Sequence, residues 1–209
     1  VENPITEAKR VLGKVLFWDE QLSSNNTVAC GTCHRPAAGG ADPRVGRHTG
    51  TDKGTIDDVW GSPGVVLMNE AGEPLEHPIF GRDPQVTTRI TPSNFGALWA
   101  NEVFWDGRAS SEFVDPLTGD VAIVSGGALE NQALAPLINP TEMARPNRAW
   151  DELTEKLKGV RPLALARNLP ADVSNAIESN PGYPSLFQAA FYDPEITPVR
   201  IAFATATYE

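Results

Sequence analysis

Cys30-Gly31-Thr32-Cys33-His34 holds the only two cysteines of this 209-residue chain, and their spacing is that of covalent haem attachment. Two thiols placed this way can add to the two vinyl groups along one porphyrin edge. The short arc between them brings the following histidine beneath the iron, where His34 would supply an imidazole nitrogen as axial ligand. Two other chemistries use the same residue types. A structural zinc ion needs four protein ligands, which Cys30, Cys33 and two of His34, His48 and His77 could supply. A dithiol redox motif needs a strand before it and a helix beginning at its first cysteine. Here loop sequence precedes, Ser23-Ser24-Asn25-Asn26-Thr27. The pattern predicts one covalent haem c held by Cys30 and Cys33, with His34 on the iron.

The elements that must hold this motif are read from apolar periodicity and its punctuation. Asn3-Pro4-Ile5-Thr6-Glu7 reads as a helix start, followed by Val11, Leu12, Val15 and Leu16 on one helical face. Residues 19–64 are rich in Gly, Ser, Asn, Asp and Thr and predict loops around the cysteines. Val65-Val66-Leu67-Met68 predicts a strand in a hairpin closed near 70–72. Four aromatics with little charge between 89 and 108 predict a buried loop and short helix, and 115–127 predicts a further turn-rich excursion. Trp150, Leu153 and Leu157 have helical spacing, with Asp151 and Glu152 early and Lys156 and Lys158 late, as the helix dipole prefers. Helices are also expected over 171–178 and 183–191. In the last segment Thr197 caps, Pro198 takes the first helical position, and Ile201, Ala204 and Tyr208 mark a buried face. That helix reaches Glu209 without a cap or polar tail, so a fragment or cleavage product is expected.

Composition narrows the class. Hydrophobic residues make up 41% and charged residues 21% of the chain, ordinary for a globular protein, while 18 prolines and 18 glycines require much loop. The net charge of −10 leaves no basic patch for nucleic acid. No run approaches the roughly 20 apolar residues of a membrane helix. No signal peptide stands at Val1. Because haem is attached covalently outside the bacterial cytoplasm, a removed signal and a periplasmic or otherwise exported protein are expected.

With the motif in place, its flanks carry a resemblance. Leu12-Gly13-Lys14-Val15-Leu16-Phe17-Trp18-Asp19, Leu22-Ser23 and the haem motif resemble the start of the bacterial di-haem cytochrome c peroxidase and MauG family. Phe104-Trp105-Asp106-Gly107-Arg108 is similar to a second block of that family, and Gln132-Ala133-Leu134-Ala135-Pro136-Leu137-Ile138-Asn139-Pro140-Thr141-Glu142-Met143 to a third. Residues 183–208 are similar to its passage into a second domain. The blocks follow the family's order. The resemblance implies a mainly α, cytochrome c-like haem domain over 1–209 with long loops and insertions at about 50–85 and 110–126.

The resemblance also implies roles. Glu142 matches the distal glutamate that moves a proton between the peroxide oxygens, in a pocket that Pro136, Leu137, Ile138 and Met143 would make mostly apolar. Gln132 matches a glutamine that hydrogen-bonds bound oxygen species, and Pro136 a proline shaping the same pocket. Trp105 matches a tryptophan lying between the two haems, and Arg108 could pair with a haem propionate or with Asp106. His48 matches a loop histidine that serves as sixth iron ligand in the resting enzyme and swings away. Calcium between domains is implied near Arg89-Ile90-Thr91-Pro92. The bland readings stand beside these: Glu142 as a helix N-terminal carboxylate, Trp105 as core, and His48 and His77 as surface histidines.

The family's second Cys-x-x-Cys-His and its methionine or tyrosine ligand are absent from this sequence. The expectation is therefore the peroxidatic half of a peroxidase-type oxidoreductase. It would act on hydrogen peroxide or use it to oxidise a partner. Electrons would come from a second haem-bearing domain or chain fed by a small redox protein. The alternatives are a mono-haem electron carrier, with His48, Met68 or Met143 as permanent sixth ligand, and a non-catalytic haem subunit.

Overall fold

Thr6 opens the first helix: its backbone is extended, and its hydroxyl accepts the Lys9 N–H at 3.3 Å. In the computed structural model, which describes residues 2–50 and 54–209, this helix, α1, spans Glu7–Trp18. The start at Val1 and positions 51–53 of the expected insertion lie outside the described residues. Further along come α2 (Cys30–Cys33), β1 (Gly46–His48), β2 (Val59–Gly61), β3 (Phe113–Val114) and β4 (Val121–Ile123). Then follow α3 (Ala128–Ile138), α4 (Trp150–Gly159), α5 (Ala171–Ser179), α6 (Tyr183–Phe191) and α7 (Pro198–Tyr208). Among the described residues the chain is mostly helical, with two short antiparallel hairpins, β1–β2 and β3–β4. No helix among them is long and apolar enough to cross a membrane.

The chain forms two compact units. The first holds the described residues within Val1–Asp19, Gly96–Ala135 and Ala149–Glu209. Its centre is the packing of α1 on α7, where Leu12, Val15 and Leu16 are buried, as are Ile201 and Ala204. Gly13 makes the approach possible: a Cβ there would sit 1.8 Å from the Ala204 carbonyl oxygen. Trp18 Nε1 donates to Tyr208 Oη at 2.9 Å at the end of this contact. Asp19, which follows α1, is buried and accepts at Oδ2 from both Tyr183 Oη and the Leu163 N–H at 2.7 Å. A buried carboxylate so bonded costs far less than an unpaired one. Burial and the Asp19 charge together push the Tyr183 hydroxyl well above its usual range, so it remains a donor.

The second unit holds the described residues within Glu20–Phe95 and Pro136–Arg148. Here irregular chain is fixed by side chains that bond to the backbone. Ser23 Oγ accepts from the N–H groups of Thr27 and Val28 at 3.0 and 3.1 Å. Arg148 is buried, and its Nη1 donates to the carbonyls of Leu22 and Leu137 at 2.5 and 3.3 Å.

Three expectations are corrected. Residues 65–68 form no strand; Leu75 N–H bonds Leu67 O at 2.8 Å and a single bridge joins Met68 and Pro74, so the turn closes without a ladder. The aromatics of 89–108 are not a buried loop: Phe95, Trp99 and Trp105 are mostly exposed. The segment 19–64, read as loop throughout, contains the β1–β2 hairpin. The α4, α5, α6 and α7 helices form where they were expected, and Thr197 Oγ1 caps α7 by accepting the Arg200 N–H at 3.2 Å.

Candidate functional site

Cys30 and Cys33 lie one helical turn apart at the ends of α2, both half-buried and neither in a disulfide. The turn is set by Thr32, whose Oγ1 accepts the Ala29 N–H at 2.9 Å. A helix does begin at Cys30, but it is four residues long and no strand precedes it among the described residues. Burial pushes the Cys33 thiol up to about 11, with Arg44 opposing.

Arg44 organises this corner. Its Nη2 donates to Cys33 Sγ at 3.1 Å, to the Pro63 carbonyl at 3.1 Å and to Asp42 Oδ2 at 2.8 Å, while Nε reaches Asp42 Oδ1 at 3.0 Å. Burial alone would push the Asp42 carboxyl up, but these bonds outweigh it and hold the group below its usual range. Neither Asp42 nor Arg44 was singled out in the sequence, where both look like ordinary loop charges.

His34 follows α2, and its Nδ1 lies 3.1 Å from the Gly40 carbonyl oxygen. A carbonyl only accepts, so Nδ1 carries the hydrogen. Burial lowers the pKa of the ring more than the Gly40 bond raises it, which favours the neutral form. Neutral and protonated at Nδ1, the imidazole has its lone pair on Nε2, the state a metal-binding histidine requires. His48 and His77 are set the other way. His48 Nδ1 accepts the Gly50 N–H at 3.3 Å, and His77 Nδ1 accepts the N–H groups of Ile79 and Phe80 at 3.0 and 3.3 Å. Their lone pairs at Nδ1 are therefore taken, and both rings pack against Phe80. Among the described residues no three His, Cys, Asp or Glu side chains gather as a metal cluster, so the four-ligand zinc set is not assembled. Two unbridged thiols beside a ligand-ready imidazole fit a covalent haem better than any other group of that donor set.

Glu142 belongs to the same unit. It lies in a turn after α3, and α4 does not begin until Trp150, so it is not a helix N-terminal carboxylate. Ser24 N–H bonds the Met143 carbonyl at 2.8 Å, and Arg145 N–H bonds Ser24 Oγ at 2.8 Å, which ties this turn to the segment before the cysteines. On its other side the turn meets Gly64. The Val65 N–H bonds the Thr141 carbonyl at 3.2 Å, and a Cβ on Gly64 would sit 2.0 Å from that oxygen and 2.8 Å from Glu142 Cα. Gln85 Nε2 completes the clamp on the Pro140 carbonyl at 2.8 Å. Leu137 and Met143 are buried nearby in sequence, whereas Ile138 is exposed. Pro136 stands inside α3, where it has no N–H to donate to the preceding turn.

Gln132, Trp105 and Arg108 belong to the other unit. Gln132 is buried on α3. Trp105 is 83% exposed, so it is not a core residue. It sits at the tip of a tight loop in which Gly107 N–H bonds the Phe104 carbonyl at 3.1 Å and Val103 bridges Ala109. Arg108 pairs with Asp106 at 2.9 and 3.1 Å and lies 3.6 Å over the Phe104 ring.

A mostly helical chain with two unbridged thiols and a neutral imidazole in one Cys-x-x-Cys-His turn fits the class of c-type haem proteins. The comparisons with known proteins are more particular. The profile of the family described as di-haem cytochrome c peroxidase matches residues 7–209. The chain belongs to this family, and membership implies haem c. It is 34% identical to methylamine utilization protein MauG of Paracoccus denitrificans over 70% of this chain and 30% of that protein. It is 30% identical to cytochrome c peroxidase Ccp of Escherichia coli over 73% of this chain and 22% of that protein. A solved MauG-like protein associated with microbial copper homeostasis shares the fold, with a TM-score of 0.50 and 22% identity over 99% of this chain and 41% of that one. The chain thus spans well under half the length of these relatives.

Proposed function

We propose that this chain is a cytochrome c-like haem domain forming the peroxidatic half of a di-haem enzyme whose substrate is hydrogen peroxide. The observation that carries the reading is the pairing, in one compact unit, of His34 in its metal-binding tautomer with Glu142 on a turn hydrogen-bonded to the segment before the cysteines. Cys30 and Cys33 would hold the haem and His34 would ligate it. Haem c supplies the redox-active iron on which two-electron reduction of peroxide to water depends. Glu142 takes a proton from one peroxide oxygen and returns it to the other, so that the departing group leaves as water.

For Gln132, Pro136, Trp105 and Arg108 the proposed roles rest on the family resemblance. Ligation by His48 Nε2 in a resting state would require its Nδ1 to give up the Gly50 N–H. Electrons would arrive from a second haem-bearing domain or chain fed by a small redox protein, in an exported compartment. Calcium would use a carbonyl of 89–92 at the boundary with that domain.

The test is Glu142→Gln. Haem content should be unchanged, and peroxide turnover should fall roughly 100-fold or more, the scale of lost acid–base catalysis. Undiminished turnover would remove Glu142 from the mechanism. With the second haem-bearing partner and a donor supplied, a protein with normal haem and no peroxide turnover in either form would be an electron carrier.

A further inference from the structure

The turn that carries Glu142 is built by one residue, Asn139. Its backbone carbonyl accepts the N–H groups of Glu142, Met143 and Ala144 at 3.2, 3.1 and 2.9 Å. Its side-chain Oδ1 accepts the N–H of Thr141 at 2.9 Å and of Glu142 at 3.3 Å. Those bonds settle which way the amide faces, because only the oxygen can accept. Nδ2 is therefore turned to the carboxylate, and it donates to Glu142 Oε1 at 3.0 Å.

We infer that Asn139 is a positioning residue for Glu142, holding Oε1 through its amide so that the carboxyl group keeps one orientation as it gains and loses the transferable proton. The chemistry is that of a single carboxyl group. An oxygen that accepts an amide N–H keeps its carbonyl character when the group is protonated. The group thus takes up and returns the peroxide proton while Oε1 stays hydrogen-bonded to Nδ2 throughout. Gly64 and Gln85 hold the backbone beneath this pair, so the side chain pivots on a fixed base. The inference rests on the proposed role of Glu142.

Two variants of the haem-loaded full chain separate aim from folding. Asn139→Ser keeps a hydroxyl that can accept the Thr141 N–H but has no group to reach Oε1. Asn139→Asp keeps the acceptor and replaces the donor by a second carboxylate. In difference infrared spectra the carboxyl band of Glu142 is identified as the one lost in Glu142→Gln. In both Asn139 variants the carbonyl stretch of that band should move to higher frequency. Haem content should be normal, and kcat should fall about 10-fold with KM for peroxide unchanged, as expected of a misaimed group. An unmoved band with unchanged kcat, in a protein whose Glu142→Gln form is inactive, reduces Asn139 to a turn-former and overturns the inference. Full turnover in Glu142→Gln sinks the proposed function instead, and the infrared shift then decides the Asn139 bond alone: its presence supports the bond and its absence overturns it.

Discussion

The three histidines differ in what their Nδ1 atoms do, and this difference separates them chemically more sharply than their burial does. His34 donates to Gly40, whereas His48 and His77 accept from the backbone. The spacing of Cys30, Cys33 and His34 was legible because attachment to a rigid porphyrin edge constrains sequence distance directly. The tautomers were not legible, since the Gly40 carbonyl reaches His34 only through a turn whose path depends on the fold. Asn139 left a signal that went unused: Asn-Pro favours a turn, and an Asn side chain commonly bonds the backbone two residues on. Arg44 left little, because Asp42 lies only two residues away but Cys33 and Pro63 join the pair only in three dimensions. Asp42 is fully buried at the side chain and depends on Arg44 for compensation. Arg44→Met should therefore destabilise the protein by about 3 kcal/mol, the scale of leaving one partner of a buried ion pair alone. A urea midpoint that does not move would show that the pair contributes nothing.

Among elements, those with a continuous amphipathic stripe and a cap were readable, and those held by something else were not. Thr6 with Val11, Leu12, Val15 and Leu16 announced α1, and Thr197-Pro198 announced α7. The helix α3 carries apolar residues around much of its circumference and has Pro136 inside it, so neither period nor boundary stood out. The hairpins escaped because their strands are two or three residues long and largely exposed, too short for alternation to register. The exposed aromatics at 99 and 105 were misjudged for a related reason: aromatic content predicts burial only within the surface the described chain itself can cover. Contact between α1 and α7 depends on a glycine that pattern reading treats as neutral in a helix. Gly13→Ala must move a Cβ away from the Ala204 carbonyl and from Tyr208 Cβ, 1.8 and 2.9 Å from the ideal position. Intrinsic propensity favours alanine by roughly 1 kcal/mol, so helix content alone predicts stabilisation. Overpacking opposes it, and the variant should be less stable by about 2 kcal/mol in chemical denaturation. A gain in stability would mean that the two helices part at little cost.

On the scale of the whole molecule, family membership and chemistry carry different weights. The match over residues 7–209 accounts for the order of the blocks and the mostly helical build. It does not by itself load the chain with haem, which depends on the two cysteines. With two cysteines in one Cys-x-x-Cys-His, the proposal is a single covalent haem on this chain. Thioether bonds are covalent and persist through unfolding, whereas a ligand bond from His34 does not. Intact mass under denaturing conditions should therefore equal the polypeptide plus one haem. It should return to the polypeptide alone when Cys30 and Cys33 are both changed to alanine. His34→Gly is the informative contrast: attachment would persist in the mass while the absorption spectrum loses its axial imidazole signature. A second haem-bearing polypeptide recovered with the native protein would supply the electron source that the proposed reaction needs. A mass without haem in protein matured in an exporting, haem-attaching host would overturn the haem assignment, and with it every role proposed for Glu142.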